Sequence, residues 1–151
     1  ALINKKKVNM KKIIATIILS LISTLSFADG HSNANGFAIT IKVPASDVAK
    51  VEAMLVSHYN WMKETHPMTG DKKLNSYSIM KGPEWNNPAD PSQGMTGNMY
   101  FVLNEFYENP SGFANHQELG SKWSKIQEFQ TMLFTYVVGY AFPGTTIATI
   151  E

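Results

Sequence analysis

Glu105, Tyr107 and His116 are three side chains able to do proton chemistry, and they lie close together in the segment Asn98 to Trp123, NMYFVLNEFYENPSGFANHQELGSKW. An imidazole with an ordinary pKa of ~6.5 can take or give a proton near neutrality, or hydrogen-bond a substrate oxygen. His116 is therefore a candidate general base. The plainer reading is a helix histidine satisfied by a neighbouring backbone group or carboxylate. Glu105 falls among apolar residues on a strand. A buried carboxylate is costly unless paired. Glu105 must then meet His116 or a lysine, or sit in a pocket with a raised pKa.

The elements that hold these groups are legible nearby. In a strand, Met99, Phe101, Leu103, Glu105 and Tyr107 point one way, and Tyr100, Val102, Asn104 and Phe106 the other. Both faces are largely apolar, so both should be covered. Helices explain one face, and the other calls for a second sheet or a second subunit. Asn109 is a good N-cap, and Pro110 suits the first helical position. Phe113, His116 or Gln117, Gly120 and Trp123 follow at helical spacing.

Elsewhere, Phe37 to Val43 alternates as a first strand that Pro44 ends. Ser46 can cap a helix running to about Thr65, with Val48, Val51, Leu55, Tyr59 and Met62 on one stripe. Lys73 to Met80 reads as a weaker strand, and Lys81 to Gly97, rich in Pro and Gly, as a long loop. After Pro110 the helix should break near Gly120-Ser121 and resume to about Phe134. A last strand covers roughly Tyr136 to Phe142. The order is β-α-β-β-α-β, an α+β, ferredoxin-like arrangement in one domain over 37–151. The polar stretch 29–36 should be a floppy lead-in.

Residues 10 to 28, MKKIIATIILSLISTLSFA, have the form of a secretory signal peptide, with residues 1–9 as upstream sequence. Lys11 and Lys12 make the positive start, Ile13 to Ile22 the apolar core, and Ser26-Phe27-Ala28 a small-x-small cleavage site. The apolar run is shorter than the ~20 residues a membrane span needs. The expected location is periplasmic or secreted, with no membrane attachment after cleavage. The whole chain has a formal charge of +1, but residues 1–28, the signal with its upstream stretch, carry five of its thirteen basic residues and none of its twelve acids. The exported part is therefore acidic. It also lacks arginine and cysteine. Without a basic face or a guanidinium clamp, nucleic-acid binding is disfavoured. Without cysteine there are neither disulfides nor thiol chemistry.

Other chemistries find little purchase. His58, Glu64 and His66 invite a metal reading, but Glu64 lies off the line of the two histidines on one helix. No metal and no cofactor are expected on that spacing. There is no G-x-S-x-G, no phosphate-binding loop and no G-x-G-x-x-G after a strand. Tyr59, Tyr107, Phe113 and Trp123 are aromatics able to line a pocket for a small apolar or aromatic molecule, or to serve as core.

With the element order in place, Glu105, Tyr107, Phe113 and His116 resemble the strand E-x-Y and the following aromatic-then-His helix of the antibiotic-biosynthesis-monooxygenase-like family. Its members include small quinol-monooxygenase-like proteins. The resemblance implies a homodimeric α/β barrel with an internal pocket. It also implies cofactor-independent oxygenation of an aromatic or enolisable small molecule, in which the substrate is deprotonated and its anion meets O₂. On that reading His116 is the base, Glu105 its orienting partner, and Tyr107, Trp123, Tyr59 and Phe113 line the pocket. Haem-degrading members carry Trp at the position of His116 and a haem-ligating His where this chain has Ile126, so haem cleavage is not implied. The competing class is a non-catalytic periplasmic small-ligand-binding or sensor protein of the same fold. A cyclase- or isomerase-like use of the same histidine is a third.

Overall fold

A computed structural model describes residues 34–148. The expected signal peptide, its cleavage site and residues 29–33 of the lead-in lie outside the described residues. The elements are β1 (Gly36–Val43), α1 (Val48–Thr65), β2 (Leu74–Trp85), β3 (Met95–Tyr107), α2 (Pro110–Ser121), α3 (Ile126–Tyr136) and β4 (Val137–Gly144). Short 3-10 turns stand at Ala45–Asp47 and Pro91–Gln93. The strands form one open sheet in the order β2-β3-β1-β4, with β1 antiparallel to β3 and β4, and β2 antiparallel to β3. This α+β architecture is compatible with a ferredoxin-like fold. The second helical stretch is two helices, parted after Ser121 as the Gly120-Ser121 pair suggested.

Two boundaries differ from expectation for clear reasons. About half of residues 81–97 is strand: β2 runs on to Trp85 and β3 starts at Met95, so the connecting loop narrows to residues 86–94. Proline lacks the N–H that a central strand needs. Pro83 sits opposite Met99 on β2, which is an edge strand, so its missing donor costs the ladder nothing. Glu84 then ties the arm down, accepting from Thr96 Oγ1 at 2.7 Å, Asn98 Nδ2 at 2.8 Å, and Lys42 Nζ and Tyr100 Oη at 3.1 Å. The lead-in is also ordered at its end. Ala34 is buried, and the Asn35 carbonyl accepts from the Tyr107 N–H at 2.7 Å.

The core lies between the sheet and the helices. β1 contributes Phe37, Ile41 and Val43, β3 contributes Phe101, Leu103 and Tyr107, and α1 contributes Val51, Leu55 and Met62, all buried. The stripe on α1 passes through His58, not Tyr59. The sheet's other face is not covered by any helix among the described residues. Thr40, Lys42, Met80, Tyr100, Val102, Asn104 and Phe106 are all half-buried or exposed.

Candidate functional site

Strand register builds the floor of the site. Glu105 on β3 stands opposite Phe37 of β1 and Tyr77 of β2, so the three share a row facing the helices. Tyr107, two residues on, faces the same way and donates from its hydroxyl to Glu105 Oε2 at 2.6 Å. The Glu105 side chain is 0% exposed, and its Oε1 has no hydrogen-bond partner among the described residues.

Helices supply the roof. His58 projects from α1, with Nε2 3.9 Å from Glu105 Oε1 and Nδ1 2.8 Å from the Tyr77 hydroxyl. Phe129 of α3 stacks on the His58 ring at 4.3 Å and 12°, which fixes its plane. His116 projects from α2, with Nδ1 3.4 Å from Glu105 Oε2. The approach of α2 depends on Gly112, where a Cβ would meet Tyr107 side-chain atoms at 3.0 Å. Trp61 and Trp123 stack at 5.1 Å and close the outer side against His58 and His116.

A third histidine completes the group. His66, at the end of α1, has Nε2 3.1 Å from His116 Nδ1 and Nδ1 2.9 Å from Thr65 Oγ1. The single proton of the Thr65 hydroxyl goes to the Trp61 carbonyl at 2.7 Å. His66 Nδ1 must then donate to Thr65, its Nε2 accepts, and His116 Nδ1 donates to it. The contact orients His116 and leaves that ring one free nitrogen lone pair.

Burial governs the charges. It lowers the His58 pKa to about 3 and that of His66 to about 4, and pushes His116 well down as well. It raises Glu105 to about 8, with the Tyr107 hydrogen bond pulling the other way. Tyr77 and Tyr107 are raised, again chiefly by burial. At neutral pH the chain holds neutral imidazoles around a carboxyl group that resists ionising. Perturbed groups gathered at one point in this way mark candidate functional sites.

Comparison of the chain with protein-family models, with curated proteins and with solved structures finds no match. Function must be read from the chain itself.

Of the residues expected at the site, Glu105, Tyr107 and His116 converge. Trp123 belongs to the aromatic wall. Phe113 is buried core, 6.2 Å from Phe37 and 6.3 Å from Tyr107. Tyr59 does not reach the cluster: it is 42% exposed, and the Lys63 ammonium lies over its ring. The trio His58, Glu64 and His66 does not gather either, since Glu64 is exposed. A different trio does. Ligand atoms of His58, Glu105 and His116 all lie within 4.8 Å of one another. Spacing along one helix could not reveal this, because the three come from three elements. His58 was visible as a candidate, but Tyr77 gave no signal. Among the clefts lined by the described residues are one of about 320 Å³ between α1 and α3 beside Val51, Met54 and Tyr136, and one of about 250 Å³ beside Gly36 and Gly144. Neither is lined by a histidine.

Proposed function

We propose that this chain is an exported small-ligand-binding or sensor protein whose ligand is held by Glu105 and the histidines around it. The observation that carries this is Glu105 Oε1, a fully buried carboxyl oxygen with no partner, turned toward His58 Nε2. An unpaired buried polar atom costs ~1–3 kcal/mol. A fold that retains one beside three imidazoles has a use for it. The rings of Trp61, Trp123 and Phe129 pack directly on His58, which favours a compact polar ligand over a bulky aromatic one. The test is ligand retention. Protein purified from its own compartment should carry a ligand that Glu105→Gln loses. Wild-type protein with nothing bound would count against this reading.

A second reading has its own support. The His116–Glu105 pair at 3.4 Å is the arrangement a proton-transferring enzyme needs, and it matches the monooxygenase resemblance on an aromatic or enolisable substrate. Turnover of such a substrate, lost by ~10²–10⁴-fold in His116→Ala, would establish it over the binding role. We place the protein in the periplasm or outside the cell on the signal-like segment. We also propose a homodimer formed through the open sheet face, because Tyr100, Val102, Phe106 and Met80 present apolar surface there. Sedimentation showing a monomer at micromolar concentration would refute the dimer.

A further inference from the structure

We infer that His58, Glu105 and His116 form a centre for one divalent first-row transition-metal ion, of the borderline kind typified by Zn²⁺. The inference rests on the proposal that this cluster is a ligand site, and names the ligand.

Geometry is the first support. Zinc ligands lie ~2.0–2.2 Å from the metal, which in a tetrahedral site puts neighbouring donor atoms ~3.3–3.4 Å apart. Here His116 Nδ1 and Glu105 Oε2 are 3.4 Å apart, and His58 Nε2 and Glu105 Oε1 are 3.9 Å apart. One donor atom from each of the three residues lies within 4.8 Å of the others, so side-chain movements on the order of an ångström bring them to metal distance. The unpartnered Oε1 is the donor atom otherwise left without a role.

The surrounding contacts are those that orient ligands. A metal-bound histidine normally donates its other N–H to a neighbour, and a ligating carboxylate is itself hydrogen-bonded. His58 Nδ1 faces the Tyr77 hydroxyl at 2.8 Å. Tyr107 donates to Glu105. His66 Nε2 faces the same nitrogen of His116, Nδ1, at 3.1 Å, so a metal bound there takes the place of this hydrogen bond and the His116 proton moves to Nε2. Phe129 stacked on His58 fixes the ring that must point at the metal.

Donor chemistry selects the class. Two imidazoles and one carboxylate suit Zn²⁺, Fe²⁺, Co²⁺ or Ni²⁺. A single carboxylate is too few oxygens for Ca²⁺ or Mg²⁺. With no cysteine in the chain, thiolate sites are excluded. The His116 side chain is 12% exposed, against 2% for His58 and 0% for Glu105, so the ion enters past His116. Three protein ligands also leave a fourth position open, as in sites that bind water or a further small molecule.

The test uses the full exported chain, stripped with EDTA and titrated with Zn²⁺ calorimetrically and with Co²⁺ by visible absorption. The expected result is one equivalent per chain and a Co²⁺ spectrum of nitrogen and oxygen ligation. Glu105→Gln and His58→Ala should each weaken binding by more than the ~10–100-fold typical of losing a supporting contact. Glu64→Gln, an exposed carboxylate on α1, should leave it unchanged. Wild-type protein that takes up no stoichiometric Zn²⁺ or Co²⁺ overturns the inference, as does Glu105→Gln binding like wild type. Circular dichroism establishes that each variant is folded. If the variants unfold, the wild-type Co²⁺ spectrum still decides, and octahedral all-oxygen ligation overturns the proposal. Metal-free protein that retains an organic ligand would sink the metal while sparing the ligand site. Protein that binds neither would sink both.

Discussion

The buried carboxyl of Glu105 should make the metal-free protein less stable as pH rises through neutrality. Its pKa is raised by burial from 4.5 to about 8. The folded state therefore holds a proton that the unfolded state has released, and stability falls with pH between those two values. The histidines act in the opposite sense. His58 is depressed from 6.5 to about 3 and His66 from 6.5 to about 4, and His116 is pushed down too, so their contribution grows as pH rises through 6.5 and is complete only about a unit above it. That rise is common to wild type and Glu105→Gln, so over the window from pH 6.5 to 8 the difference between the two proteins isolates Glu105. Across it, 1.36 kcal/mol per pH unit gives a loss of ~2 kcal/mol as an upper figure. Glu105→Gln cannot ionise, yet keeps an acceptor for Tyr107 and presents a donor toward His58. It should lack this loss and keep only the rise that the histidines give. The assay is chemical denaturation of both proteins in EDTA at half-unit steps from pH 6.5 to 8. A Gln variant whose stability follows pH as the wild type's does would show that Glu105 is ionised in the fold and that the reasoning about its burial is mistaken.

Three further outcomes follow from the fold. Gly36→Ala should destabilise the domain by ~1–3 kcal/mol, because a Cβ there runs into the Glu105 carbonyl where β1 meets β3; a variant as stable as wild type in denaturant would contradict that register. Glu84 is held at about 2 by hydrogen bonds from Asn98, Thr96 and Lys42, so its stabilising effect is present above the unfolded value of 4.5 and is lost as pH falls through 2. Protection of the amides around Trp85 and Met95, taken relative to intrinsic exchange at each pH, should fall over that acid range in wild type and already be low in Glu84→Gln, and equal protection in the two proteins would remove Glu84 as the clasp. N-terminal sequencing of exported protein should begin at Asp29, and a chain retaining Ile13 to Ile22 would overturn the assignment of compartment.

Half of the site was legible in the sequence. The alternation Phe101, Leu103, Glu105, Tyr107 puts the carboxylate on the buried face, and helical spacing from Pro110 brings His116 back over it. The α1 residues were harder. A period of 3.6 after Leu55 falls between His58 and Tyr59, and apolarity favoured Tyr59. The fold chooses His58, because Tyr77 offers its hydroxyl to that imidazole and Phe129 offers a flat face. Neither partner can be read from α1 alone. His66 enters by closing the helix, its N–H bonded to the Met62 carbonyl, a placement set by the chain's path rather than by a stripe. The arm from Lys81 to Gly97 was misread because Gly and Pro were weighed without knowing that β2 is an edge.

The most direct test of the central claim is native mass spectrometry of the protein, purified without chelator from the cells that make it. The account predicts one tightly held ligand per chain, retained by Glu64→Gln and lost by Glu105→Gln and His116→Ala while both stay folded. A wild-type chain of bare polypeptide mass, or a ligand that survives in Glu105→Gln, would contradict the claim that this buried cluster is where the protein works.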